Sequence, residues 1–329
     1  NIPFLLHIRA RLRGRGMMAL MTSGGRLGVS RVWLSALTVA APRRLIASAA
    51  VRLDFGVASL PDPSKKRGED AHIVSRGSAT RAWAAVFDGV GGWSRHGIDP
   101  SRYSRKLARI VDVELHRQAA AGELRLRDAL HAAATTNAEV GSCTACLAAV
   151  DTQTSLITTL NVGDSAVWVL RQLGGAATGS TGSGGGGGEE RGPVFSLVHR
   201  SKVQQHAFNT PYQLGTQSRD SAADAELGVF AGRAGDVIVL ASDGLFDNLS
   251  EADVRLLVSE REGKPAQHIA DTLAYVAQRF SFDPHRQSPF ELEAARHGID
   301  FKGGKVDDTT VVVLRLLPDG PAADGERAL

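Results

Sequence analysis

Cysteine is nearly missing from this chain. Two are present among 329 residues, Cys143 and Cys146 in the run SCTACLAAV, which excludes a disulfide-held scaffold and suits a reducing compartment. A single C-x-x-C with no second ligand pair is a weak zinc or redox signal, and its place at the head of an apolar, strand-like run fits two small packed side chains better. Long apolar stretches are missing too. No run reaches the roughly 18 residues that a membrane-spanning helix needs. Acid is absent from residues 1–53, which hold nine arginines and no lysine, so 29 basic residues face 35 acidic ones over the rest of the chain, a net −6 behind the overall +3. The folded part is therefore acidic, and no nucleic-acid partner is expected.

What the acid-free start does contain is Arg, Ala and Ser, the composition of an organellar transit peptide. The first residue is Asn1, and Met17, Met18 or Met21 are candidate starts. Residues 1–53 are read as a leader, 54–316 as one domain and 317–329 as a tail, a length that gives room for a substantial core.

Along the domain, RLDFGVAS (52–59) and RAWAAVFD (81–88) predict strands joined by the polar loop LPDPSKKRGEDAHI. Residues 101–121 and 124–138 predict helices, with Leu107, Ile110, Val111 and Leu115 at helical spacing. CLAAVD (146–151), SLITTLNV (155–162) and AVWVLRQL (166–173) predict three strands in an antiparallel meander. The Gly-rich stretch 174–192 has almost nothing to bury and predicts a flexible insertion between two strands of one sheet. PVFSLVH (193–199), DVIVLASD (236–243) and TTVVVLRL (309–316) predict further strands, and 265–280 a helix with one apolar face. Runs of strands with helices grouped between them predict an α+β fold, a sheet-on-sheet sandwich with helical outer layers.

Five acids share one placement. Asp88 in FDGVGGW, Asp164 in NVGDSAV, Asp243 and Asp247 in ASDGLFDN, and Asp307 in GGKVDDTTVVV each stand in or beside a Gly-containing turn bordering an apolar strand. One such acid would serve a turn by accepting backbone N–H groups. Several converging at a sheet edge repel one another unless cations neutralise them, and hard cations such as Mg²⁺ or Mn²⁺ prefer oxygen ligands. A di-metal hydrolase is expected. Gly89, next to Asp88, would leave its carbonyl free to approach a metal, and two ions about 3.5–4 Å apart would activate a water against a phosphate ester.

The ordered set GED, DGVGG, GDS, SDGLFDN and GGKVDDTTV resembles the type 2C, or PPM, metal-dependent protein serine/threonine phosphatases over nearly all of 54–316, and within them the organellar branch that includes mitochondrial members. The resemblance implies a central antiparallel β-sandwich flanked by helices, four layers in all, with Mg²⁺ or Mn²⁺ at one end. It makes Asp88 the bridging ligand, Gly89 a carbonyl ligand, and Asp243 and Asp307 the other direct ligands. Glu69 and Asp70 take the place of an acidic pair that holds metal-bound waters, and Asp164 and Asp247 match acids that assist a third ion in some members. Two departures stand out. Val90 occupies the position where many members carry a His that protonates the leaving group. Lys65, with Lys66 and Arg67 following, replaces a phosphate-gripping Arg, and a lysine holds phosphate without Arg's bidentate fork. Asp308 stands where many members carry Asn. His206 in QQHAFNTPYQL reads as part of an ordered turn.

The function expected is hydrolysis of phosphoserine or phosphothreonine in protein substrates by a monomeric enzyme in the mitochondrial matrix, with the chloroplast as the alternative location. The competing function is a phosphatase-fold binding module without turnover. Loss of a core acid would favour the module, and none is lost.

Overall fold

The computed structural model describes residues 50–65, 67–173 and 195–320. Its main strands are β1 (Val51–Leu60), β2 (Ala71–Arg76), β3 (Arg81–Phe87), β4 (Ala145–Asp151), β5 (Leu156–Val162), β6 (Ala166–Gln172), β7 (Phe195–Arg200), β8 (Glu226–Ala231), β9 (Val237–Ala241) and β10 (Thr309–Pro318). The helices are α1 (Pro100–Ala120), α2 (Leu126–Thr136), α3 (Asp243–Phe246), α4 (Glu251–Glu260), α5 (Ala266–Ser281) and α6 (Pro289–Arg296). The insertion expected at 174–192 and nearly all of the leader expected at 1–53 lie outside the described residues. Val51–Leu53 do not: they open β1, with Val51 and Leu53 buried, and β10 runs on to Pro318.

Two five-stranded antiparallel sheets face each other. One has the order β1-β10-β9-β6-β7 and the other β8-β5-β4-β3-β2. Val86, Cys146, Val150, Val169, Leu240 and Leu314 fill the space between them. The outer face of the second sheet packs Trp83, Phe87 and Leu147 against Leu107, Val111 and Leu115 of α1 and Leu130 of α2. The outer face of the first packs Trp168, Val239 and Val313 against Ile269, Leu273 and Ala277 of α5. The expected α/β/β/α sandwich is therefore the fold. Central strands are buried on both faces, which is why VIVLA and TTVVVL read as unbroken apolar runs instead of alternating ones.

Two expectations need correction. The three-strand meander is a two-strand hairpin: β4 and β5 pair from Ala145↔Val162 to Asp151↔Leu156, but the turn at Gly163–Ser165 carries the chain across the sandwich, where β6 pairs with β9 and β7. The loop between β1 and β3 hides β2, whose AHIVSR alternates too weakly to read as a strand because it lies at a sheet edge and is only half-buried. The two cysteines sit in different cores, Cys143 under α1 and Cys146 between the sheets, both buried and free.

The helix starts are written locally. Asp99 caps α1 by accepting the Ser101 N–H, with Pro100 as the first helical residue, and Ser250 and Asp253 form a capping box on α4. α5 has no side-chain cap of its own, and β1 supplies one from across the chain: Asp54 Oδ2 accepts the Ala266 N–H at 2.7 Å, and Gln267 Oε1 accepts the Val57 N–H at 3.0 Å. That docking needs a bare backbone at Gly56, where a Cβ would stand 2.3 Å from the Ala266 carbonyl carbon. Gly56→Ala is expected to lower the unfolding free energy by about 2–3 kcal/mol, the cost of overpacking a rigid contact. Urea melts should show a lower midpoint at unchanged slope, and an unaltered midpoint would mean that the strand–helix contact yields freely.

Candidate active site

The acids picked out in the sequence meet at one end of the sandwich. Asp88 follows β3, Asp164 lies in the crossing turn between β5 and β6, Asp243 and Asp247 bracket α3 after β9, and Asp307 and Asp308 precede β10. Glu69 and Asp70 come from the loop before β2 and are buried. Three strand ends, the crossing turn and the loop before β2 thus deliver eight carboxyl groups to one place.

The backbone beneath them is pinned. Asp88 N–H donates to Thr144 Oγ1 at 3.2 Å, the Asp88 carbonyl accepts the Thr144 N–H at 2.9 Å, and Val90 N–H donates to the Ser142 carbonyl at 3.0 Å. Gly89 has no left-handed φ. Its bareness answers a close approach instead: a Cβ would lie 2.6 Å from the Glu69 carbonyl oxygen. Ser104 Oγ of α1 donates to that same carbonyl at 2.6 Å, so the Glu69 loop, the Asp88 turn and α1 are locked together. Asp308 is a strut. Its Oδ1 accepts the Asp62 N–H at 2.7 Å, and its Oδ2 accepts the Glu69 N–H at 2.7 Å and Lys65 Nζ at 2.9 Å.

Two lysines provide the contacting positive charge. Lys65 Nζ reaches Glu69 Oε2 at 2.7 Å, Asp308 Oδ2 at 2.9 Å and Asp307 Oδ1 at 3.2 Å. Lys305 Nζ pairs with Asp243, with Asp247 at 2.7 Å and with Asp307 at 3.4 Å. Asn248 holds the Lys305 backbone from both sides, accepting its N–H at 3.0 Å and donating to its carbonyl at 2.9 Å. Gln205 Nε2 donates to Asp164 Oδ2 at 3.0 Å. Sequence reading passed over Lys305, Asn248 and Gln205, although a lysine in GGKVDD and the Asn closing SDGLFDN were the available signals. Arg67 is exposed on the same loop as Lys65. His206 is tied up structurally, with Nε2 2.9 Å from the Asp220 carboxylate and its ring stacked on Tyr212 at 4.2 Å.

Two ammonium groups leave most of eight carboxyl groups uncompensated, and the proton affinities show it. Burial pushes Asp70, Asp164 and Asp247 from an ordinary 3.8 up to about 7, with Asp308 adding to Asp70, Asp243 adding to the other two, and Lys305 pulling the other way on both. Asp88 is raised well above the carboxylate range by burial and then by Asp70, Asp243 and Asp307. Asp307 is raised by burial and Asp243. Burial pushes Asp243 up as well, but the charge and hydrogen bond of Lys305 outweigh it and hold this carboxyl low. Among the described residues, no three His, Cys, Asp or Glu side chains are grouped so as to hold an ion as they stand. The donor set nevertheless fits hard cations. It is all oxygen, both Asp70 oxygens and Asp243 Oδ1 are buried with no hydrogen-bond partner, and the Lys65 and Lys305 ammonium groups already bridge carboxylates as cations would.

No protein-family model matches the chain. It does match curated proteins: it is 33% identical over 267 residues to "Protein phosphatase PTC7 homolog" of Homo sapiens, covering 75% of this chain and 78% of that one. It is 35% identical over 268 residues to "Probable protein phosphatase 2C 55" of Arabidopsis thaliana, spanning 80% of this chain but about half (51%) of that longer protein. With this fold, this acid cluster and relatives at that identity, the chain belongs to the type 2C, or PPM, family of protein serine/threonine phosphatases. Among solved structures, the photosystem II phosphatase PBCP superposes with a TM-score of 0.67 at 28% identity, covering 80% of this chain and 98% of that one.

Without divalent ions, the raised carboxyls hold protons in the folded chain that the unfolded chain releases near its ordinary carboxylate pKa. Between about pH 4 and pH 7 the folded state binds more protons, so these groups make stability fall as pH rises through that window. The melting temperature in EDTA is expected to drop from pH 5.5 to pH 7.5, and stabilisation by millimolar Mn²⁺ to grow over the same range. Stabilisation independent of pH would separate the ions from this cluster.

Proposed function

We propose that the chain is a Mg²⁺- or Mn²⁺-dependent phosphatase acting on phosphoserine and phosphothreonine in protein substrates. The observation that carries this reading is the surplus of buried carboxyl groups at one end of the sandwich, including the unpartnered oxygens of Asp70 and Asp243. Asp88, Asp243 and Asp307 would hold two ions directly, with the Gly89 carbonyl beside Asp88 and with Glu69 and Asp70 acting through water. Asp164 and Asp247 would serve a third. When bound, the ions would polarise the phosphoryl oxygens and lower the pKa of a water for attack.

The chain's own residues do the rest. Asp88 feels four other acids of the cluster, Asp70, Asp243, Asp307 and Asp164, and the Thr144 and Ser142 contacts fix its turn. Lys65, relieved of the acids it balances, would offer phosphate a point charge, with Arg67 on the same loop adding a second. Val90 has no proton to give, and His206 is committed to Asp220, so no histidine is assigned as the leaving-group acid.

The domain is proposed to begin at β1 and to act as a monomer, and the segment before it to direct import into the mitochondrial matrix, with the plastid as alternative. The Arg-rich, acid-free composition supports import, since a potential negative inside draws such a segment inward. A fluorescent protein carrying residues 1–50 should enter an organelle of the source cell, and a diffuse cytosolic signal would remove the import function.

Asp88→Asn keeps the shape and removes the central charge. It is expected to reduce kcat/KM for a phosphothreonine peptide in saturating Mn²⁺ by roughly 10³-fold, about 4 kcal/mol of transition-state stabilisation, with the circular dichroism and melting curve of a folded protein. Turnover close to the unaltered enzyme's would take the central role away from Asp88.

A further inference from the structure

A cavity of about 580 Å³ opens directly from the acid cluster, with Asp164 and Asp247 forming its near wall. Beyond them the lining changes character. Trp168 of β6 and Phe246 of α3 stack with ring centroids 4.6 Å apart on one side, and Phe208 and Phe290 meet at 5.1 Å on the other. Lys305, which holds Asp243 and Asp247, lies 5.1 Å above the Phe290 ring, so the aromatic wall touches the charged cluster itself.

The rim carries charge that is already spent. Arg200 pairs with Glu251 at 2.6 Å and stands over the Trp168 ring, 4.4 Å from its centroid, and Arg296 pairs with Glu293 at 2.6 Å. A charged side chain entering past the rim would lose water beside ion pairs that are already made and would reach Asp164 and Asp247 only where the proposed ions compete for them, whereas an apolar one meets four aromatic rings. The volume lies within the range of pockets that take small ligands, with the aromatic rings and Val203, Leu249 and Leu292 forming an apolar floor between the two acids and a charged rim.

We propose that this cavity is a specificity subsite that takes a large apolar side chain flanking the phosphorylated residue of the substrate, an inference that rests on the phosphatase reading above. The phosphoryl group is drawn to the acid cluster and its ions, and the neighbouring side chain drops past Asp164 and Asp247 onto the aromatic wall. Substrates are thereby sorted by hydrophobic burial next to the reaction centre, and the self-paired rim gives a charged neighbour nothing in return.

The test uses the full chain with Mn²⁺, p-nitrophenyl phosphate, and a set of phosphothreonine peptides in which one position at a time, two residues either side of the phosphothreonine, is Phe, Ala or Lys. Phe at one position should raise kcat/KM roughly 10- to 100-fold over Ala, the worth of burying that side chain, and Lys should give no gain over Ala. Phe208→Ala and Leu292→Asp, the latter at a cavity-lining residue that is 43% exposed, should each abolish most of that preference while p-nitrophenyl phosphate hydrolysis stays unchanged. Binding of the same peptides, read by fluorescence anisotropy, reports on the cavity whether or not turnover occurs. No turnover of any substrate, with the Phe preference intact in binding, would strike the phosphatase reading and leave the subsite standing. A flat profile in both readouts, or a preference for Lys, overturns the subsite, as does a Phe preference that survives both substitutions. A dimer that Leu292→Asp converts to monomer, with a flat peptide profile, would assign the cavity to a second copy of the chain and overturn it equally.

Discussion

Eight carboxyl groups gathered at one end of a sandwich, most of them out of water, repel one another, and the rest of the molecule is arranged to withstand that repulsion. The cost of a buried, unpaired charge is several kcal/mol even after relaxation. Lys65, against Glu69, Asp307 and Asp308, and Lys305, against Asp243, Asp247 and Asp307, offset part of it, and both ammonium groups are held firmly protonated because the surrounding acids outweigh their own burial. The remainder raises the proton affinity of Asp88, Asp70, Asp164 and Asp247 above that of an ordinary carboxyl. Under the proposed function, divalent cations would relieve strain already present in such a site.

Such a cluster persists only on a backbone that does not yield. The interior between the sheets is built from side chains that are fully buried, such as Val86, Val150, Val169 and Leu240, and close packing of this kind transmits force instead of absorbing it. Local ties then fix each acid to that frame. The Glu69 carbonyl sits between Gly89 and Ser104, and Asn248 grips the Lys305 backbone from both sides. Removing a tie would therefore shift the acids without touching one of them, a route by which residues outside the acid cluster acquire weight.

Much of this was legible in the sequence because the signals were chemical. Acids next to glycines at the ends of apolar runs are unusual enough that four such motifs together specify a site, and the structure brings all of them together. Doubly buried strands announced themselves as unbroken apolar runs. What escaped were features whose cause is long-range. β2 is a half-buried edge, so AHIVSR carries no clear alternation. The turn NVGDS looks like a hairpin, yet it carries the chain from one sheet to the other, because Gly163 adopts a φ of 104° and Asp164 must reach the acid cluster. Lys305 was hidden by its neighbours: a lysine beside two aspartates reads as surface charge until α3, α6 and the Asp307 loop close around it.

The lysine at position 65 and the aspartate at position 308 belong together. Asp308 presents two oxygens to three donors: Oδ1 to the Asp62 N–H, and Oδ2 to both the Glu69 N–H and the Lys65 ammonium. An asparagine has one acceptor oxygen. Facing Asp62 with it would turn the Nδ2 donor toward two further donors, and turning it round would strand the Asp62 N–H instead. Either arrangement leaves a backbone donor without a partner in a part-buried loop, at a cost of about 1–3 kcal/mol. A lysine at 65 thus goes with a full carboxylate at 308, since the compact ammonium must be met at close range from several sides. The loop carrying Glu69 and Asp70 is set by this pairing, and through it the Lys65 charge is coupled to the position of two of the acids.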